Sequence, residues 1–262
     1  MRRHLFLLLG LGALLAVTAV GIAGAAGGEG PVTVKVGSLE LTSDINFSPK
    51  AVSKTKQTPL LITSAGSVKE ADGSHPPAAR EIFIEADKEG EIHTKGIPIC
   101  KSGQLQATDT TAALKACRPA LIGEGTATAQ VAFPEQRPIN ISSKLLLFNG
   151  GERSGKTTWF AHIYLSDPVS AAIVTTVTIT RIHKGRFGTL AVAKIPQIAG
   201  GAGSGTAFSL KIFKSVKGIN GKPVNPISAV CADGKAKFHI AAKFEDGTKA
   251  EAEIVRSCTT KG

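Results

Sequence analysis

Short runs in which apolar and polar residues alternate dominate this chain, with turn-forming residues between them. Val32-Thr33-Val34-Lys35-Val36, Glu81-Ile82-Phe83-Ile84-Glu85, Ile173-Val174-Thr175-Thr176-Val177-Thr178-Ile179-Thr180 and Phe208-Ser209-Leu210-Lys211-Ile212-Phe213 are examples, as are Leu60-Leu61-Ile62-Thr63 and Thr189-Leu190-Ala191-Val192-Ala193. A period of two puts successive side chains on opposite faces, so such runs read as strands with one face buried. Runs bounded by Gly, Pro, Asn or Asp and repeated along the whole chain predict an all-β fold. The expected form is a β-sandwich, jelly-roll-like or a similar two-sheet architecture, rather than alternating strands and helices.

Near the C-terminus the pattern specifies a register. Phe238, Ile240, Ala242 and Phe244 alternate with Lys237, His239, Ala241 and Lys243, and Ala250, Ala252 and Ile254 alternate with Lys249, Glu251, Glu253 and Val255. A three-residue loop Glu245-Asp246-Gly247 pairs Ala242 with Ala250, Ile240 with Ala252 and Phe238 with Ile254. That register keeps one face apolar, opposes His239 to Glu253 and puts Gly247 where a left-handed backbone is needed. By the same logic Ala232-Asp233-Gly234 turns a preceding strand, 228–231, into this hairpin. One short helix is expected near 109–117, with Thr108 or Asp109 as its N-cap.

The N-terminus has a different texture. Arg2 and Arg3 precede an uncharged apolar run from Leu5 to about Val20, followed by Ala23-Gly24-Ala25-Ala26-Gly27. That order is expected of an export signal cleaved near Ala26, with an uncleaved membrane anchor as the alternative. The division is therefore a signal peptide over 1–26 and a single β-rich exported domain over 27–262, a two-lobe arrangement being the alternative. The expected location is secreted or extracytoplasmic, at the cell surface. Cys100, Cys117, Cys231 and Cys258 all lie in the second part. An even count in an exported chain points to disulfides, and spacing favours Cys100 with Cys117 and Cys231 with Cys258.

Charge adds a preference for partners. There are 31 Lys plus Arg against 20 Asp plus Glu, so removal of Arg2 and Arg3 leaves 29 cations against the same 20 acids. A basic exported protein meets anionic envelope polymers and lipid surfaces before nucleic acid. Cations spread along the chain read first as a solvated basic surface, with an anionic polymer or lipid surface as the alternative partner. Aromatic residues make up only 5%, with one Trp and one Tyr, which disfavours stacked nucleic-acid platforms.

Candidate chemistry is sparse. Gly150-Gly151-Glu152-Arg153-Ser154-Gly155-Lys156-Thr157 fits the phosphate-loop pattern, which would make this a nucleotide-binding protein. That chemistry needs a helix directly after the loop, and Thr157-Thr158-Trp159-Phe160-Ala161-His162-Ile163 reads as a strand. Glu81, Glu85, Asp87, Glu89 and Glu91 read as charges guarding an edge strand. His75, His93, His162, His183 and His239 lack metal-ligand spacing, although His162 and His183 could approach across strands. Arg181, Lys184 and Arg186 with Phe187 form a basic turn, read as solvated. The stretches 68–77 and 199–205 read as an exposed loop and a flexible connection, and Ser204 lacks the flanking glycines of a nucleophile elbow. No catalytic, cofactor or metal residue is assigned.

The run Pro98-Ile99-Cys100-Lys101-Ser102-Gly103-Gln104-Leu105, with Cys117, Ala120-Leu121-Ile122-Gly123-Glu124-Gly125, Leu147-Phe148-Asn149-Gly150-Gly151, His162-Ile163-Tyr164, Gly188 and Ile195-Pro196, resembles a family of uncharacterised exported bacterial proteins. The resemblance implies a signal peptide and a β-rich ectodomain, with no activity or site residues. The functional expectation is a non-enzymatic protein of the cell envelope, structural or ligand-binding. The alternative is a secreted hydrolase with a site built from loops.

Overall fold

The structure, a computed structural model, describes residues 21–26, 28–166 and 170–261. Residues 1–20, which carry the charged and apolar parts of the expected export signal, lie outside the described residues. Twelve strands form the main sheet. They are β1 (Val32–Val36), β2 (Leu39–Ser48), β3 (Leu61–Glu70), β4 (Ala79–Asp87), β5 (Leu121–Val131) and β6 (Ile139–Arg153), then β7 (Lys156–Leu165), β8 (Ala171–Lys184), β9 (Phe187–Lys194), β10 (Gly203–Ile212), β11 (Lys235–Phe244) and β12 (Lys249–Ser257).

Their order around the wall is β12-β11-β4-β9-β8-β7-β6-β5-β10-β3-β2-β1, and each neighbouring pair is antiparallel. At the seam Val32 and Val34 of β1 share a buried cluster with Ala252 and Ile254 of β12, and the backbone of Gly21–Ala26 pairs in parallel with β12. The sheet is thus nearly closed into a barrel. This corrects the expected two-sheet sandwich. Alternation tells which side chains of a strand point inward, but not whether they meet a second sheet or the far wall of their own.

Two connections cross each end of the barrel. The link from β3 to β4, residues 71–78, and the link from β9 to β10, residues 195–202, cross one end, here called the strap end. The links from β4 to β5 and from β10 to β11 cross the other, the floor. Packed residues close the floor, among them Ile97, Ile122, Leu147, Trp159, Ile179 and Ile212. The Cys231–Cys258 disulfide adds to it beside Phe47, Val52 and Leu60. At the strap end, Leu39, Phe244 and Ala250 pack together, as do Leu165, Ile173 and Ile198.

The C-terminal hairpin has the expected register, with Ala242 opposite Ala250, Ile240 opposite Ala252, Phe238 opposite Ile254 and His239 opposite Glu253. Gly247 takes a φ of 88°, the left-handed conformation its loop requires. The preceding strand departs from expectation. Ile227–Ala229 pairs with Gly90–Ile92 and Thr58–Pro59 in a small floor sheet, not with β11. Helix α1 spans Thr110–Cys117, and the Asp109 carboxylate caps it by accepting from the Ala112 N–H at 2.7 Å. The Cys100–Cys117 disulfide closes the loop that carries α1. That loop lies on the outer wall, where Leu105, Ala113 and Cys117 bury Leu146, Phe148 and Phe160.

Candidate functional site: the barrel interior

The register decides what faces the interior. Leu145 lies between Gly125 of β5 and Ile163 of β7, and Leu147 between Gly123 and Ala161. Trp159 stands opposite Val177, and Phe208 of β10 lies between Ala127 and Gly66. Leu145, Leu147 and Phe208 thus each face glycine or alanine on at least one neighbouring strand. A Cβ at Gly66 would sit 2.6 Å from the Phe208 ring, so that ring occupies the space a side chain at 66 would need. A Cβ at Gly125 would meet the Ser209 carbonyl oxygen at 1.9 Å, which no side chain tolerates.

The small residues Gly123, Gly125, Ala127 and Ala129 on β5 make one wall thin. The space is not filled from the other side, and a cavity of about 440 Å³ remains inside the barrel. Its lining is overwhelmingly apolar and includes Ile45, Ile84, Leu145, Phe208 and Phe238. Polar surface is a small part of it: the hydroxyls of residues such as Ser43, Ser64, Thr175 and Thr206, with Asp44, Asp87, Glu89, Glu91, Lys235 and Glu251 also among the residues that border it. Trp159 also lines it, buried, and among the described residues its indole N–H has no hydrogen-bond partner. Glu81 and Glu85 of β4 lie on the opposite face, because they alternate with the inward Ile82, Ile84 and Ala86, while Asp87 at the floor end of the strand borders the cavity. A volume within the ~300–1,000 Å³ of ligand sites, walled mostly by hydrocarbon, suits an apolar guest.

The other sequence candidates sit outside the cavity or at its ends. The residues matching the phosphate-loop pattern form the hairpin between β6 and β7, with Arg153 opposite Lys156 and Glu152 opposite Thr157. Ser154 and Gly155 make its turn, at φ 52° and 71°. A strand follows Thr157, so the helix N-terminus on which phosphate binding depends is missing.

The acids of β4 do not guard an edge, since β4 is paired on both sides, by β9 and β11, whereas Glu91 lies on Gly90–Ile92, an edge strand of the small floor sheet. The partners of β4 come from distant parts of the sequence, which is why the strand read as an edge. Each of the three acids on β4 has a cation instead, while Glu89 and Glu91 lie beyond the strand in the floor, where Glu89 accepts from the Ala232 N–H at 2.9 Å. Lys243 meets Glu81, Lys184 and His239 meet Glu85, and Arg186 donates to Asp87 at 2.7 Å and also pairs with Asp233. Burial alone would raise the Glu85 carboxyl, but the Lys184 and His239 bonds outweigh it and hold it below its ordinary range. Arg186 holds Asp233 down to about 2. Lys184 and Arg186 of the basic turn are therefore engaged in ion pairs, Lys184 while still largely exposed to solvent.

His162 and His183 do not converge. His162 is opposite Val174 on β8, and His183 lies nine residues further along that strand, about 30 Å at the rise of a strand. No group of three or more His, Cys, Asp or Glu among the described residues could hold a metal. His162 is fully buried beneath the α1 loop, where Nε2–H donates to the Thr108 carbonyl at 3.0 Å. Burial pushes its pKa below the ordinary histidine value.

One cluster escaped sequence reading. His75 in the strap places Nδ1 2.9 Å from the Gln130 Oε1 and Nε2 3.1 Å from the Ser204 Oγ. The Ser204 hydroxyl donates to the Pro76 carbonyl at 2.7 Å and is buried. With its proton on that carbonyl, Ser204 fastens the strap to β10. The two glycine- and proline-rich stretches that read separately as loops thus meet here, and only the topology brings them together. A second pair, His93 Nε2 and Ser228 Oγ at 2.8 Å, lies in the floor, where Ser228 also bonds the Gln57 side chain.

Comparison with protein-family models, with curated proteins and with solved structures finds no match to this chain. The two disulfides, with no free cysteine, point to an oxidising, extracytoplasmic compartment. No helix among the described residues is long and apolar enough to cross a membrane.

Proposed function

We propose that this is an exported, non-enzymatic binding protein of the cell envelope whose barrel shelters an apolar ligand, such as a long acyl chain, from water. The observation that carries this reading is the cavity of about 440 Å³ lined almost wholly by hydrocarbon. A packed interior leaves few voids larger than a water molecule, so a void of this size in a protein with a polar exterior calls for an occupant. Each methylene moved from water into such a space contributes about 0.8 kcal/mol, enough for tight binding without a charged anchor. Strand register supports the same division, with apolar rows inside and ion pairs such as Lys243–Glu81 outside.

The test is extraction of the purified protein with organic solvent, followed by mass spectrometry of the extract and of the native protein. A stoichiometric apolar molecule that leaves on extraction and returns on re-addition supports the reading. Protein that carries none and takes up no fatty acid or hydrocarbon probe opposes it.

A further inference from the structure

The charges at the two ends of the barrel are strongly unequal. Three segments meet at the floor. The Ile219 N–H donates to the Gly96 carbonyl at 2.8 Å, the Cys100 N–H donates to the Asn149 carbonyl at 2.8 Å, and Ile99 lies against Gly151. Within 95–101, 150–156 and 213–224 stand Lys95, Lys101, Arg153, Lys156, Lys214, Lys217 and Lys222, all exposed, against one acid, Glu152; the rest of the floor links adds Lys88, Lys115 and Arg118 against Glu89, Glu91, Asp109 and Asp233. None of the seven cations has an ion-pair partner among the described residues, although most acids elsewhere on the barrel wall are paired. Loops at the strap end carry Asp72, Glu135, Glu245 and Asp246 against Arg137, and Arg80 of β4 neutralises Glu245.

The same floor segments hold the two most exposed large hydrophobic side chains of the described residues, Ile219 at 76% and Ile99 at 61%. Ile219 sits on a tight turn closed by the Gly218 N–H bonding the Lys222 carbonyl at 2.8 Å, with Lys217 and Lys222 at its base. Isolated apolar residues on a surface need no explanation, but apolar tips ringed by unpaired cations fit one environment well. At an anionic bilayer, lysines contact headgroups at about 1 kcal/mol each near the surface, while apolar tips enter the acyl boundary.

We propose that the floor is a docking face for an anionic lipid membrane, with Ile219 and Ile99 inserted and the seven basic residues at the headgroups. Docked in this way, the barrel axis stands away from the membrane and the strap end faces outward. The inference rests on surface charge and exposure and does not depend on what the cavity holds.

Vesicle flotation tests it, with protein recovered from the export compartment of its expression host. Mixed phosphatidylglycerol and phosphatidylcholine vesicles should carry the protein at low salt, and pure phosphatidylcholine vesicles should not. Lys95→Gln/Lys217→Gln/Lys222→Gln should weaken partitioning roughly a hundredfold, at about fivefold for each lysine removed. Ile219→Ser should weaken it about tenfold, close to the loss of a half-inserted side chain. Lys35→Gln/Lys69→Gln, an equal type of change on the barrel side, should leave it within twofold. Equal loss in that control, or no preference for the anionic vesicles, overturns the proposal. Binding of soluble polyphosphate that Ile219→Ser leaves unchanged, with vesicles ignored, would assign the face to an anionic polymer and overturn it as well.

Discussion

Phe148 and Phe160 stand directly opposite one another on the outer face of β6 and β7, and both are buried because the loop closed by Cys100 and Cys117 lies over them. An outer face of a barrel is ordinarily polar, so this patch relies on the loop to keep it from water. Removing the crosslink frees a loop of about 18 residues, worth on the order of 3 kcal/mol in the chain-entropy account. Cys100→Ser/Cys117→Ser should lower stability by about that amount and increase binding of a hydrophobic dye. Denaturant unfolding and dye fluorescence check both outcomes.

Beneath that loop, His162 supplies a pH dependence. Its folded pKa is lowered by burial, so the unfolded chain binds the proton more readily. The stability it supports is complete above the ordinary histidine value and is lost as pH falls through and below that value. Stability should therefore decline as pH drops from neutral towards 5, and His162→Gln should flatten the part of the slope near pH 6. Unfolding curves at several pH values measure the difference.

At the seam, Arg256 is fully buried and donates to the Gly28, Gly30 and Val255 carbonyls and to Asp44 at 2.5 Å. Among the described residues Asp44 is the one carboxylate paired with this charge. Asp44→Asn should cost about 2 kcal/mol, since a buried charge loses its counter-charge while its hydrogen bonds to backbone remain. Urea denaturation reads that loss.

The hairpin at Ser154 and Gly155 makes a contrasting case. Lys156 is exposed and faces Arg153 across the turn, with no helix behind it. Lys156→Ala should change stability by less than about 0.5 kcal/mol. Neither the native protein nor the variant should bind ATP in calorimetry.

What the sequence made readable follows from how far apart in the chain the interacting residues lie. The β11–β12 hairpin, the Asp109 cap and both disulfides depend on neighbours within some 30 positions, and each took the expected form. Closure of the sheet was not legible, because inward residues such as Ile84 and Phe238 look the same whether they meet a second sheet or their own far wall. Acids on β4 misread as edge protection for a similar reason, since β9 and β11 join it from about 100 and 150 residues away. Trp159 and His162, three positions apart on β7, point to opposite faces and are both buried. The first lines the cavity and the second lies under the α1 loop, and period two alone could not foresee the loop.

Because the chain has one Trp, and Trp159 lines the cavity, its emission reports directly on the barrel interior. The decisive measurement is titration of delipidated protein with saturated fatty acids of increasing length, followed by that emission, alongside the cavity-filling variant Ala127→Phe. The account predicts a shift in emission whose affinity rises about fourfold per added methylene until the cavity is full, then levels off. It also predicts that Ala127→Phe stays folded and reaches its plateau at a shorter chain. Emission that never responds, or affinity that ignores chain length and the variant alike, would contradict it.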